Sequence, residues 1–384
     1  MDKLLMMLTM VSLLGFGDAD SSQSVSCTTN PTWSPNGLIV AGGNNDSVYR
    51  DFRPFDFAFD SQHNVYVADP DETQILMYPY NYTIGQVPTV VVSNVSCQAL
   101  YIDNYDNLYF GDRGSVKILN RTTGNVTVFT NSYYSKIFQE YQPLVSPSDL
   151  YIDSKSRLYV SDRGMRVIRY LLDQPNNSTV LTDASSGPGI SQCIFIDETD
   201  NNAFYTCIWP STIVKFTNDG ANWTTVADGK TLASNTSANV SLSFDSVIVD
   251  SLTQQLYISD GINHRIIRWS LSNSSQQGQV IIQLPNTTSP RRIRLDKDKN
   301  LYVGAIDDVT RGQVLKYINC NPNQTIMMTT STTTATTYTS MTTTTSIANS
   351  TSNVAAMNSV AWNVATLYIF VSITMIIHFL YFMA

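Results

Sequence analysis

Histidine is almost missing from this chain: three occur in 384 residues, His63, His264 and His378. His63 falls in an expected turn, His264 in a repeated segment and His378 in the C-terminal tail. A zinc centre built on imidazoles is therefore excluded. Cysteine is scarce too, with five residues and no Cys-x-x-Cys pair, which argues against a thiolate metal site or a redox motif. There is no Gly-x-Ser-x-Gly segment, and no Ser/His/Asp set can be assembled. Charged residues are only 14% of the chain, the net charge is −8, and the basic residues are scattered. That balance argues against nucleic acid as a partner. No Lys or Arg follows Lys316.

The two ends carry addresses. Lys3 precedes an apolar run from Leu4 to Phe16, followed by Gly17-Asp18-Ala19. One positive charge, a short apolar stretch and small residues two apart predict a secretory signal over 1–19. A segment 20–36 then leads into the body, 37–320. Beyond it, 321–358 is dominated by Thr and Ser and has almost nothing apolar to bury, so it predicts an extended stalk and spacer. The tail 359–384 is apolar to the last residue. A membrane-spanning helix would ordinarily leave basic residues on its cytoplasmic side, and none is present. Small residues, a polar spacer and a terminal apolar tail predict a GPI-attachment signal, with Asn349 or Asn353 as the lipid-bearing residue. A tail-spanning helix is the alternative.

A secretory chain meets glycosylation and oxidation. Asn-x-Ser/Thr sequons occur at Asn45, Asn81, Asn94, Asn120, Asn125, Asn176, Asn177, Asn222, Asn235, Asn239, Asn273, Asn286, Asn323 and Asn349. They predict a glycan-coated surface facing the cell exterior.

The body repeats itself. Six alternating apolar segments end in Asp: at Asp60, Asp103, Asp153, Asp197, Asp250 and Asp296. The residues one and three before each Asp are large and apolar, a period of two that predicts a strand. The mean spacing is about 47 residues, within the range of propeller blades. A second strand follows each Asp, as in Tyr66-Val67-Ala68-Asp69 and Tyr159-Val160-Ser161-Asp162. A third reads as in Ile266-Ile267-Arg268-Trp269, and a fourth is β-branched, as in Val90-Val91-Val92. Four strands repeated six times predict an all-β six-bladed β-propeller. The repeated Asp residues are expected to cap turns by accepting backbone N–H bonds. Small residues such as Gly111 and Gly304 would let tapered blades approach near the axis.

The sixth copy has only three strands. Its fourth is expected from the N-terminus, Gly37 to Gly42, pairing with the strand around Val314–Tyr317 and removing both sheet edges. Cys27 and Cys320 would then close the seam as a disulfide. The hairpin alternation sets Cys193 opposite Cys207, at the reach of a cross-strand disulfide. Cys97 is left over, as a buried thiol.

The Pro54, Phe59-Asp60 and Tyr66-Val67-Ala68-Asp69 pattern resembles the NHL repeat. So do Pro147, Asp153 and Tyr159-Val160-Ser161-Asp162, and above all Tyr257-Ile258-Ser259-Asp260 with Asn263-His264-Arg265-Ile266. The fourth copy departs, with Ile208 where Asp belongs, and the Tyr-Trp-Thr-Asp motif of lipoprotein-receptor propellers does not occur. The resemblance spans residues 36–318 and implies a six-bladed propeller that works by binding a protein or glycan. Arg113, Arg163 and Arg166 are candidates for one rim of that surface. No cofactor is expected, although calcium is the ion that abundant Asp and Asn leave open. The competing class is a calcium-dependent, lactonase-like hydrolase with its site in the channel. Carboxylate or amide oxygens converging on the axis from three or more blades would favour that enzyme; a narrow or apolar channel would favour binding.

Overall fold

Alternating apolar residues can be buried only if every strand finds a neighbour on each side, and the chain solves this by closing a ring. The computed structural model describes residues 33–43, 52–183, 191–208, 211–228, 243–272, 278–307 and 311–320. The signal, the stalk, the tail and Cys27 lie outside them, as do Asn45, Asn235, Asn239, Asn273, Asn323, Asn349 and Asn353. Among the described residues there are six four-stranded antiparallel sheets, one small two-stranded sheet and no helix.

The N-terminal strand is β1 (Leu38–Gly42). Blade 1 holds β2 (Asp56–Phe59), β3 (Val65–Asp69), β4 (Gln74–Tyr78) and β5 (Thr89–Ser93); blade 2 holds β6 (Cys97–Ile102), β7 (Leu108–Asp112), β8 (Ser115–Leu119) and β9 (Val126–Thr130). A hairpin, β10 (Ser132–Ser135) and β11 (Glu140–Pro143), interrupts the repeat. Blade 3 holds β12 (Pro147–Ile152), β13 (Arg157–Asp162), β14 (Arg166–Leu171) and β15 (Gln174–Thr182). Blade 4 holds β16 (Ser191–Asp197), β17 (Ala203–Ile208), β18 (Thr212–Thr217) and β19 (Asn222–Asp228). Blade 5 holds β20 (Phe244–Asp250), β21 (Gln255–Asp260), β22 (Arg265–Ser270) and β23 (Gln279–Gln283). Blade 6 takes β24 (Thr288–Leu295), β25 (Leu301–Asp307) and β26 (Arg311–Tyr317) from the C-terminal side.

The expected seam is present. Blade 6 has the order β1-β26-β25-β24. Leu38 pairs with Lys316, Ile39 with Leu315, Ala41 with Val314 and Gly42 with Gln313, with a bulge between Ile39 and Ala41. Trp33 extends the join by a bridge to Asn319, donates from its indole N–H to the Lys299 carbonyl at 2.8 Å, and packs edge-on against Tyr257.

The first strands of the blades, β2, β6, β12, β16, β20 and β24, pack one against the next, and β24 meets β2 again. They therefore line the axis. Six apolar clusters fill the gaps between adjacent blades, one at each interface. The cluster across the seam joins Ala41, Tyr302 and Val314 of blade 6 to Phe57, Val67 and Leu76 of blade 1. At Gly111 an added Cβ would sit 2.8 Å from the Pro147 carbonyl of the next blade, so no larger residue fits without movement.

In blade 4 the register sets Ile194 opposite Thr206, Ile196 opposite Phe204 and Cys193 opposite Cys207, as the alternation requires. Cys193 and Cys207 form a disulfide inside the cluster between blades 4 and 5. Cys320 is disulfide-bonded as well; its expected partner Cys27 lies outside the described residues. Cys97 is a free, fully buried thiol, and burial pushes its pKa up. Replacing Cys193 and Cys207 together with Ala is expected to lower stability by about 3 kcal/mol. Equilibrium urea unfolding of the double variant beside the native chain measures it; equal midpoints would mean that packing alone fixes this hairpin.

Candidate functional site

Two series of repeated Asp residues sit at opposite ends of the blades. The first ends the first strand. Asp60 accepts from the Gln62 and Asn64 N–H groups, Asp103 from Tyr105 and Asn107, Asp153 from Lys155 and Arg157, and Asp296 from Asp298 and Asn300, all at 2.9–3.0 Å. The second ends the second strand and reaches back to the chain entering the blade. Asp112 accepts from Ser96 N–H at 2.9 Å, and Asp162 from Val145 and Ser146 at 3.0 and 2.7 Å. Both series hold turns; the expected structural role stands.

The second series has a companion. Lys117 lies 2.6 Å from Asp112, Arg265 2.8 Å from Asp260 and Arg166 3.9 Å from Asp162, each at or near the start of the third strand. In blade 1 that place is taken by Gln74, whose amide reaches Asp69 at 3.3 Å. Asp69 is fully buried without that counter-charge, and burial pushes its pKa up to about 6.

The axis is polar, and the sequence reading did not anticipate how. Arg292 on β24 is buried; its Nη1 meets Asp149 of blade 3 at 2.5 Å, its Nε lies 3.2 Å from Asp56 of blade 1, and its Nη2 donates to the Ser148 carbonyl at 3.0 Å. Arg294 donates to Asp56 at 2.9 Å and to the Leu100 carbonyl of blade 2 at 2.8 Å. The two carboxylates also cross between blades. Asp56 accepts from Leu100 N–H and Asp149 from Ile194 N–H, each at 2.8 Å, while Ser246 Oγ accepts from Ile293 N–H at 3.2 Å. Blades 1, 3 and 5 thus each tie a side chain to the blade that follows. Desolvation works to discharge Arg292, but Asp149 and Asp56 outweigh it and hold its pKa above the usual value.

Carboxylates from several blades therefore do converge: Asp56, Asp149 and, from blade 5, Asp245. Guanidinium groups answer them, since Arg291 also lies 3.3 Å from Asp245. A calcium ion needs six to eight oxygen ligands, and here the oxygens of Asp56 and Asp149 already take N–H donors and arginine. These residues do not fit a hard cation. Among the described residues no three His, Cys, Asp or Glu side chains are grouped as metal ligands.

The axis opens at one face into a small cavity of about 60 Å³ lined by Phe55, Gln98, Ser148, Arg163, Asp245, Arg291 and Arg292. The turns joining second to third strands and the connections between blades emerge at this face. Arg113 and Arg163 both belong to such turns and are exposed. Arg166 is differently placed: it stacks over the Tyr133 ring at 4.7 Å and bonds its hydroxyl, so it serves to root the β10–β11 hairpin.

That hairpin was missed from sequence. It leaves from the connection between blades 2 and 3, and Tyr170 OH donates to Ser132 O at 3.0 Å while Tyr134 N–H donates to Ser178 Oγ at 2.8 Å. Its tip exposes Ile137 (66%) and Phe138 (65%), with Tyr141 also outward. A groove of about 320 Å³ runs between Lys136, Ile137 and Phe138 on one side and Gly164, Arg166 and Val180–Asp183 on the other. Arg163 lines the axial cavity and Gly164 lines this groove, so the two features share one surface.

No protein-family model and no curated protein matches the sequence. Solved structures do match the fold. A gluconolactonase from Xanthomonas campestris superposes with a TM-score of 0.54 at 13% identity, covering 77% of this chain and 99% of that one. A chain of a nidogen/laminin complex gives 0.47 at 17% identity over 64% and 94%, and a streptogramin B lyase 0.47 at 14% over 69% and 83%. At these identities the likeness is one of fold: the chain is an all-β six-bladed propeller.

The Asp69 carboxyl keeps its proton to about pH 6 when folded, against 3.8 in the unfolded chain. Between those values the folded state binds more protons, so stability falls as pH rises from about 4 through 6. Gln74→Arg, which supplies the ion pair of blades 3 and 5, is expected to raise Tm at pH 7.5 by about 2–4 °C. At pH 4 it should leave Tm unchanged; thermal scans at both pH values test this, and an equal gain at both would refute it. Arg292→Met should cost about 3–5 kcal/mol by stranding Asp149 and leaving Asp56 to Arg294 alone, read as a lowered midpoint in urea. A change under about 1 kcal/mol would show that the axial network is dispensable.

Proposed function

We propose that this chain is an extracellular, membrane-anchored glycoprotein of the NHL-propeller kind that binds a protein or glycan partner on the face bearing the hairpin. One observation carries the reading: Ile137 and Phe138 stand exposed at the tip of a hairpin fixed to blades 2 and 3. Large apolar side chains held out in water on a rigid support mark contact surfaces. The arginine-filled axis supports the same choice over a channel hydrolase, because the carboxylates a metal would need are already bound.

The sequons agree with this arrangement. In the described residues they fall at Asn81, Asn120, Asn125, Asn176, Asn177 and Asn222, between or within third and fourth strands, and at Asn94 and Asn286, soon after a fourth strand. None lies on a first or second strand. Most glycans would coat the circumference, while those at Asn94 and Asn286, in connections between blades, would fringe the face that bears the hairpin. The GPI signal at Asn349 or Asn353 would hold the ring outside the cell on its Thr-rich stalk.

On cells expressing the full chain, phosphatidylinositol-specific phospholipase C is expected to release it. A partner captured by the released protein should lose at least tenfold in affinity when Ile137 and Phe138 are both changed to Asp. Both residues are exposed, so the fold should survive. Retained affinity, or calcium-dependent lactone hydrolysis by the same preparation, would overturn the binding reading.

A further inference from the structure

Resting on that reading of the face, we infer that the axial cavity is a receptor for a single carboxylate, that of an Asp or Glu side chain projecting from a protein partner. The cavity of about 60 Å³ is lined by three guanidinium groups and one carboxylate, in a chain whose net charge is −8. The charge of Arg292 is matched by Asp56 and Asp149, and that of Arg291 by Asp245. Arg163 has no ion-pair partner among the described residues, which leaves the mouth one positive charge in excess.

Arg291 has donors to spare. Its Nη1 lies 3.3 Å from Asp245 and its side chain is partly exposed, while its Nε is buried without a hydrogen-bond partner. A carboxylate at the mouth would meet a guanidinium that one carboxylate does not saturate. Asp245, the one acidic group on the wall, has its pKa pushed up by burial, with Arg291 working against that.

Reach chooses the source. The recess is small, about 60 Å³, and Arg292 on its wall is buried. A carboxylate fixed to a sugar ring approaches with the bulk of the ring behind it, whereas Asp and Glu carry theirs on a slender stem. Phe55, with Arg291 stacked 5.9 Å from its ring, supplies an apolar wall for that stem. Guanidinium and carboxylate geometries match as a two-pronged pair.

The test uses the full chain and ligand-observed NMR. Saturation transfer is measured to the peptide Ac-Gly-Glu-Gly-NH2, to its Gln counterpart and to sialyllactose. Transfer to the Glu peptide is expected to fall at least fivefold in Arg163→Gln and in Arg291→Gln, and to stay unchanged in Arg113→Gln, which shares the face but not the cavity. The Gln peptide should show at most a tenth of the signal. Arg163 is exposed and tests the site without threatening the fold, should Arg291→Gln destabilise the chain. Equal transfer to the Glu and Gln peptides, indifference to Arg163→Gln, or transfer to sialyllactose instead would overturn the inference. A partner that needs Ile137 and Phe138 but ignores Arg163→Gln would overturn it too, while leaving the binding face in place.

Discussion

Every strand in this molecule depends on the pairing of β1 with β26. A blade of four apolar strands has two faces to bury, and only another blade can cover each of them. A row of blades would leave an apolar face at either end and unpaired N–H and C=O groups along an edge. Joining Leu38–Gly42 to the third strand of blade 6 removes both defects at once. It also creates the interface at which Phe57 and Val67 pack on Tyr302 and Val314. The ladder fixes the number of blades, because blade 6 is incomplete without it.

The axis answers a second constraint. Six first strands crowd together where the ring is narrowest, and their side chains must fill a space too small for large apolar groups from every blade. This chain places Asp56, Asp149 and Ser246 there from alternate blades, each bonded to a backbone N–H of the following one. Two arginines of blade 6 complete the set. Asp56 is shared by Arg292 and Arg294, so blades 1, 2, 3 and 6 are joined through a few atoms. Such a network specifies how the blades are ordered as well as how tightly they hold, since any slip strands a charge in low dielectric.

The ring was legible in the sequence because its signals are repeated. Alternation before Asp60, Asp103 and Asp153 marks strands, and six weak matches add up where one would not. Cys193 and Cys207 could be paired because hairpin register is set by alternation alone. The axial arginines were harder. Arg294 reads as a solvent-facing position in an alternating strand, and only the closing of the ring turns that face inward. Even so, Arg291-Arg292-Ile293-Arg294 was a signal available to be read: in the other first strands the place of Arg292 holds Asp56, Ala99, Asp149, Cys193 or Ser246, and that of Arg294 holds Ala58, Tyr101, Tyr151, Phe195 or Ile248. The β10–β11 hairpin hid in a similar way. The 50 residues from Asp103 to Asp153 exceed the mean spacing, and Tyr133-Tyr134 with Tyr141 carry strand-forming residues, but a fixed period leaves no place for an extra pair.

The position of β26 has a mechanical consequence. In the order β1-β26-β25-β24 it is an interior strand, held by antiparallel ladders on both sides. Tension applied to the polypeptide after Asn319 enters the ring along that strand. To give way it must shear two ladders simultaneously, and the Trp33 bridge lies across the point where the pull arrives. A chain leaving from an outermost strand would instead peel one hydrogen bond at a time. Sharing the last sheet between the two termini thus puts a pull on the C-terminal end of the ring onto an interior strand instead of an edge.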